Sequence, residues 1–536
     1  MGGAHAASAG RRRRHWPWVV AALTAVVALG FAAVAVALDR PRTTSSRRGA
    51  PRPAAAPTTR RAAPTATASG DRGPTAAWVL AENARPGSAG WRLTKPATAH
   101  QIEGYAGAVS VDDGQPIELY VSTTARTFTV TAFRMGWYGG AEGRQVWTSG
   151  PQAGSVQPKC PLTPGVGTVA CAWAGPLSVA TDPAGWPPGD YLMVLTADTG
   201  YQAYVPVTVR DDASHAAYLV NNSVTTWQAY NTFGGYDLYQ GPATPGHTTR
   251  STRARIVSFD RPYALGDGAG DFVGLELPFV ALAEQRGLDL SYTTDVDVDL
   301  RPELLRNHRA FVSLGHDEYY SLAMRQAVQA ARDAGVNLAY LGANAIYRHI
   351  RFQASPLGPD RLEVDYKSAA EDPLAGGDPA QVTAESWRAP PTNMPESTIL
   401  GEMWQCNPVR ADMVPVDPTS WVWARADLPP GAHLAGVVGP EYDHYDPAEP
   451  GPRDVEVLAA SPVTCGGRHS DADMTYYVAP SGAGVVDTGT IDWVGFLSPT
   501  CDDRCAEPVR AVTDATDAIL GAFGLGPAGL QHPSTP

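Results

Sequence analysis

The chain has no cysteine between Cys171 and Cys406. Strand ends in that interval therefore offer no thiol nucleophile. No G-x-S-x-G motif occurs, so the serine elbow of the usual hydrolases is absent. HExxH is missing too, which removes the helical zinc site of metalloproteases. There is no CxxC pair and no histidine beside a cysteine, so a structural zinc site has no support. Gly266, Gly268 and Gly270 follow no strand and have the wrong spacing for a nucleotide loop. Asp295, Asp297 and Asp299 begin like a calcium loop, but Leu300 stands where the glycine belongs and Arg306 where the last ligand belongs. No internal repeat is evident.

Basic charge is scarce in the body. Residues 1–72 carry 12 arginines and two aspartates, a net +10, which leaves −23 for the rest of a chain whose total is −13. A body that acidic excludes generic nucleic-acid binding through phosphate contacts. Hydrophobic residues make up 44% and charged residues 18%, a globular composition, and abundant Gly and Pro favour turns over long helical bundles.

The N-terminus reads as targeting and spacer. Residues 1–15 form a basic tail with Arg11 to Arg14 in a block. Residues 16–38 are an uncharged run of 23, long enough to cross a bilayer at about 1.5 Å per residue. The arginines stay inside, so the body is expected outside the cytoplasm, held at the cell membrane by a single-pass signal-anchor. Ala35-Val36-Ala37 resembles a cleavage site, which gives secretion after signal removal as the alternative. Residues 39–76, rich in Pro, Ala, Thr and Arg, are read as a disordered linker.

The six cysteines suit an exported, disulfide-bonded protein. Cys160 and Cys171 are expected to pair. The other four allow three pairings, of which Cys406 with Cys465 and Cys501 with Cys505 is favoured.

Two rhythms divide the body. Residues 77–210 contain short alternating segments, among them 117–121, 128–133, 190–195 and 204–209, which predict an all-β, immunoglobulin-like sandwich. Residues 211–525 predict an α/β domain. Strands are expected at 217–220, 310–314 and 336–341, and helices at 272–286 and 319–334, an order that argues for a mostly parallel sheet. The strand-rich stretch 385–490 is taken as an embellishment, and 526–536 as a tail.

Ligands of parallel sheets bind beyond the carboxyl ends of the strands. Three such ends are Asn221 to Asn231, Gly315 to Tyr320 and Gly342 to Tyr347. If the strands are neighbours, Tyr230, His316, Glu318 and Asn344 converge. The plainer reading is structural. Asp317 could cap the next helix, Glu318 could favour its first turn, Tyr230 and Tyr239 could be core, and Asn344 could be a turn residue.

These same stretches carry a resemblance. Phe133-Arg134-Met135-Gly136-Trp137-Tyr138-Gly139-Gly140, Trp227-Gln228-Ala229-Tyr230-Asn231, Ser258-Phe259-Asp260-Arg261-Pro262-Tyr263, Gly315-His316-Asp317-Glu318-Tyr319, Leu341-Gly342-Ala343-Asn344-Ala345, Ser481-Gly482-Ala483-Gly484-Val485 and Gly489-Thr490-Ile491 resemble, in order, the large-subunit-like proteins of the N,N-dimethylformamidase family. The resemblance implies a class I glutamine-amidotransferase-like α/β domain and a mononuclear ferric iron held by two tyrosines and a glutamate. Tyr230 matches the first tyrosine and Glu318 the glutamate. The second tyrosine belongs near residues 247–251, which contain none. Tyr239 or Tyr236 replaces it in space, with Tyr239 taken as the ligand, or the metal is absent. Phenolate and carboxylate are hard oxygen donors suited to ferric iron. His316 would then move a proton to the leaving amine, and Asn344 would orient the substrate or stabilise the oxyanion.

The implied activity is amide hydrolysis of a small amide or a cell-envelope ligand. The rival is a non-catalytic surface protein that binds envelope glycan or protein. Oligomeric state is left open.

Overall fold

Alternation of inward apolar and outward polar residues builds the first half of the body from strands. The computed structural model describes residues 67–70, 72–502 and 504–535. A three-stranded sheet runs Leu177–Val179, Ile117–Thr123, Ile102–Ala106. A larger sheet runs Ser110–Asp112, Gln202–Arg210, Gly189–Ala197, Thr127–Met135, Gly143–Thr148. Ile117 and Leu119 of the first meet Val130, Met193 and Val205 of the second in one buried cluster.

The larger sheet is buried on its other face as well. Phe133, Met135, Leu192 and Val194 point away from that cluster and into the core of residues beyond 211. This explains the near-continuous apolar run 191–195. The sandwich expected at 77–210 is therefore not free-standing. It packs with 211–525 into one compact unit that spans Ala62–Pro536. The Arg134 and Glu284 side chains, both fully buried, pair across the junction at 2.5 Å.

The expected mostly parallel, amidotransferase-like α/β domain does not form. The central sheet is mixed, in the order Leu290–Thr294, Tyr218–Asn222, Ala310–Gly315, Asn337–Gly342, Gly484–Asp487, Arg468–Val478, Glu456–Cys465. The first five strands are parallel and the last two antiparallel. The reason is local. Gly466 and Gly467, at φ 57° and 78°, close a two-residue hairpin, and so tight a turn joins only antiparallel strands. A second sheet, Ile256–Ser258, Gly358–Val364, Arg348–Ser355, Tyr319–Ser321, is mixed too. The region is thus sheet-rich and mixed, and its 385–490 stretch supplies central strands and not an embellishment.

Helix starts also differ from expectation. The helix expected at 319–334 is Leu322–Asp333, capped by Ser321, whose hydroxyl accepts from the Met324 N–H at 3.1 Å. Asp317 and Glu318 are outside it, so neither the cap nor the first-turn role applies. The helix expected at 272–286 is two, Ala269–Leu275 and Leu277–Gln285, broken at Glu276 with Pro278 in the first turn of the second. Proline has no N–H to continue the ladder.

Among the described residues no helix is long and apolar enough to cross a membrane. The basic tail 1–15, the anchor 16–38 and most of the linker 39–76 lie outside the described residues. The end of that linker belongs to the body. Thr67–Gly70 pairs with Gly73–Thr75, and the Pro74 carbonyl accepts from the Asp289 N–H at 3.0 Å. The described part of the 526–536 tail, to Thr535, is packed as well, with His532 stacked on Trp421 at 4.4 Å.

Candidate functional site

Tyr218–Asn222, Ala310–Gly315 and Asn337–Gly342 are adjacent parallel strands. Their carboxyl ends therefore open on one edge of the sheet. The first end leads into the short helix Val224–Tyr230, which puts Tyr230 on its last residue. The second turns sharply at Gly315, at φ 60°, where a Cβ would sit 2.7 Å from the Leu275 Cβ. It then presents His316, Asp317 and Glu318. The third bends at Asn344, at φ 58°, whose N–H is held by the Asp443 carboxylate at 2.9 and 3.1 Å.

Three oxygens meet there. The Tyr230 hydroxyl is 2.9 Å from Glu318 Oε2 and 2.8 Å from the Tyr239 hydroxyl. The Tyr239 hydroxyl is 3.0 and 2.9 Å from Glu318 Oε1 and Oε2. The two phenol rings stack at 4.5 Å. His316 Nε2 lies 3.5 Å from Glu318 Oε2 and 3.3 Å from Asn344 Nδ2. So the expected set Tyr230, Tyr239, His316, Glu318 and Asn344 is brought together. Of the two tyrosines considered for the missing position, Tyr239 is the one at the carboxylate. Residues His247–Thr249 form an exposed hairpin strand instead.

Several neighbours escaped the sequence reading. Arg348 Nε donates to Glu318 Oε1 at 3.0 Å. The Tyr319 hydroxyl donates to that of Tyr239 at 2.8 Å, and Lys367 Nζ donates to Tyr319 at 2.6 Å. Glu441 accepts from Asn344 Nδ2 at 3.0 Å, Trp404 Nε1 at 2.6 Å and Asn407 Nδ2 at 2.9 Å. Glu441 comes from the irregular stretch before Tyr442–His444, and no local pattern marks it.

Arg261 holds the loop that bears both tyrosines. Its guanidinium donates to the carbonyls of Asn231, Phe233 and Tyr236 at 3.0, 3.0 and 2.8 Å, and its Nε donates to Gln228 Oε1 at 3.0 Å.

The charges follow from burial. Burial and the Glu318 carboxylate push the Tyr230 and Tyr239 phenols well above their ordinary range. Burial acts to raise Glu318 also, but Arg348, His316 and Lys367 outweigh it and hold the carboxyl low. Two neutral phenols thus share one carboxylate anion. Burial raises Glu441, against the pull of His316. Among the described residues no group of three or more His, Cys, Asp or Glu is placed to hold a metal; the donors here are two phenols and one carboxylate.

The model of the family described as N,N-dimethylformamidase beta subunit-like, C-terminal, matches residues 129–504. The chain belongs to this family. The matched span of this N,N-dimethylformamidase-like chain contains every residue of the cluster, Glu441 and Lys367 included. No curated protein matches it. One solved structure with a weak likeness is a cycloisomaltooligosaccharide glucanotransferase of Paenibacillus sp., complexed with cycloisomaltoheptaose. It is 9% identical with a TM-score of 0.14, over 41% of this chain and 27% of that one. The chain spans well under two thirds of that protein, and at that score the likeness says nothing of fold or chemistry.

Two cavities of the N,N-dimethylformamidase-like body lie elsewhere. One of about 30 Å³, room for a water, is lined by Asp190, Trp227, Arg261 and Phe272 among others. The other, of about 190 Å³, lies against Gly107, Glu118, Tyr120 and Leu357.

Proposed function

We propose that this chain hydrolyses a small carboxamide at the Tyr230, Tyr239 and Glu318 cluster, with ferric iron as the resident metal. The observation that carries the reading is the oxygen triangle, with edges of 2.8 to 3.0 Å. Adjacent oxygens around an octahedral ion with bonds of about 2.0 Å stand about 2.8 Å apart. The donor set fits chemically as well, since anionic oxygens suit a hard cation. Two buried phenols beside a carboxylate are costly to ionise alone, and a cation at their centre supplies the compensation. Tyr230, Tyr239 and Glu318 would hold it. When bound, the metal would polarise a substrate carbonyl and acidify a water.

The chain's own residues do the rest. His316, between Glu318 and Asn344, is placed to pass a proton to the departing nitrogen. Glu441 fixes Asn344 by taking its Nδ2 hydrogen. That leaves Asn344 Oδ1, buried and without a partner, as the acceptor for the N–H of the leaving amine. This refines the oxyanion role, because one amide hydrogen of Asn344 is already engaged by Glu441. Trp404, 5.0 Å from Tyr347, gives the site an apolar wall beside these polar groups.

We place the reaction outside the cytoplasm, at the membrane through residues 16–38 or secreted after cleavage. The pairs Cys160–Cys171, Cys406–Cys465 and Cys501–Cys505 support an oxidising compartment. The test is metal analysis of the purified protein, with hydrolysis assayed on a panel of formamides, acetamides and envelope-derived amides. Stoichiometric iron with turnover of one class supports the reading. Iron-free protein that stays colourless after ferrous loading and reoxidation, and cleaves none, defeats it and favours a binding role.

A further inference from the structure

The chain has three lysines, Lys95, Lys159 and Lys367. Lys367 is the buried one, 5% exposed. Its backbone takes a left-handed turn at φ 52°, which brings Nζ to 3.4 Å from the centroid of the Tyr239 ring. The same nitrogen donates to the Tyr319 hydroxyl at 2.6 Å. Tyr319 in turn donates to the Tyr239 oxygen at 2.8 Å. Tyr319 is fully buried and is the residue after Glu318. Its strand, Tyr319–Ser321, pairs in parallel with Arg348–Ser355, and Tyr319 stands opposite Arg348, the partner of Glu318. The donor chain Lys367 to Tyr319 to Tyr239 is thus anchored on a strand of that sheet through Tyr319, next to the carboxylate. No comparable donor acts on Tyr230, whose hydroxyl contacts among those described are Tyr239 and Glu318.

We infer that Tyr319 and Lys367 are positioning residues that weaken electron donation from the Tyr239 oxygen to the bound metal and so make the two tyrosines inequivalent. This rests on the iron reading above and adds its tuning. The physical reason is general. Outer hydrogen bonds orient ligands and adjust their basicity. A phenolate oxygen that accepts a hydrogen bond has its filled orbitals lowered, so charge transfer from it to ferric iron needs more energy. Removing the donor lowers that energy. Tyr230, with no outer donor, is the stronger electron donor of the pair.

The test uses the full-length chain, loaded with ferrous iron and reoxidised, in the wild type, Tyr319→Phe, Lys367→Met and the loop control Tyr236→Phe. Iron content and visible absorption are read together. Tyr319→Phe removes one oxygen at constant shape, so it decides the matter even if Lys367→Met fails to fold. The expected result is unchanged iron content, with the tyrosinate-to-iron band moved to longer wavelength in Tyr319→Phe and Lys367→Met and fixed in Tyr236→Phe. A band that stays put in Tyr319→Phe at full iron content overturns the inference alone. Loss of iron from folded Tyr319→Phe also overturns it, since it would make Tyr319 a ligand. A wild type without any band defeats the iron reading, and this inference with it.

Discussion

The Tyr239 hydroxyl reaches both carboxylate oxygens of Glu318, at 3.0 and 2.9 Å. The partners are 79 residues apart in sequence, and the Tyr230 hydroxyl closes the triangle. If this is a metal site, each corner is needed. Tyr239→Phe and Glu318→Gln are each expected to lower iron content at least tenfold, with loss or shift of colour. Glu318→Gln keeps size and removes only charge. His316→Ala is expected to keep the iron and lose hydrolysis. Unchanged iron in Tyr239→Phe would show that Tyr239 is a packing residue.

Much of this site is legible in the sequence. Residues 221–231, 315–320 and 342–347 each follow an apolar strand, and parallel neighbours put such ends on one edge. What was not legible came from pairing direction and from long loops. The stretch 385–490 reads as strand-rich, yet its pattern says nothing of which neighbours Glu456–Cys465 and Arg468–Val478 join, so the mixed sheet was missed. Asp317 and Glu318 looked like helix-start acids because the Ser321 cap lies only a few residues further on. The sequence holds no physical ground for taking Tyr239 over Tyr236 as the ligand, since that choice rests on how Arg261 folds the loop. Glu441 stands 97 residues beyond Asn344, and only the chain's return brings it to the site.

Arg261 offers a test of that loop. Its guanidinium is buried, and burial lowers its pKa to about 10 against the pull of Asp237, while its hydrogen-bond partners are carbonyl oxygens. Arg261→Met fills similar volume but orphans the carbonyls of Asn231, Phe233 and Tyr236, while the Gln228 oxygen keeps its bond from Asn231 Nδ2 at 2.9 Å. Unsatisfied buried groups cost about 1–3 kcal/mol each, though the loop would relax to regain water. We expect a loss of about 3–5 kcal/mol in urea unfolding and weakened iron uptake, because Tyr230 and Tyr239 lose their common frame. A variant within about 1 kcal/mol of wild type and with full iron would remove Arg261 from this account.

The Arg134–Glu284 pair tests the union of the two regions. Glu284 also accepts from Tyr292 at 2.6 Å and Asn83 at 2.8 Å, while Arg134 donates to the Pro188 carbonyl at 2.8 Å. Breaking one side leaves a buried charge unpaired. Glu284→Gln is expected to cost about 3–5 kcal/mol, and Arg134→Met with Glu284→Leu together less than the sum of the single changes. The shared core also predicts one unfolding transition for both regions. Additive single effects, or a separate transition of residues 77–210, would contradict the shared junction.

Asp190 provides a pH test at the same junction. It is buried, with Oδ1 accepting from Thr208 at 3.2 Å and Oδ2 without a partner. Burial raises its pKa from 3.8 to about 7, against the hydrogen bonds of Asn222 and Thr208. The folded state therefore keeps the proton after the unfolded chain has released it. The stabilisation is fully present below pH 3.8 and is lost as pH rises through about 7. Asp190→Asn retains an oxygen for Thr208 and does not titrate. Between pH 5 and 8 the wild type should lose about 3 kcal/mol relative to Asp190→Asn. Glu276, a nearby carboxyl raised by burial and by the Asp190 charge, loses the second cause in Asp190→Asn, which widens the same difference in the same direction. Urea unfolding of both at pH 5, 6, 7 and 8 reads the difference directly. Stability curves that stay parallel across this window would mean that Asp190 is ionised in the fold, compensated by a group or a water in the adjoining 30 Å³ cavity. A gap that opens toward alkaline pH would show a neutral carboxylic acid built into the seam between the two sheet systems.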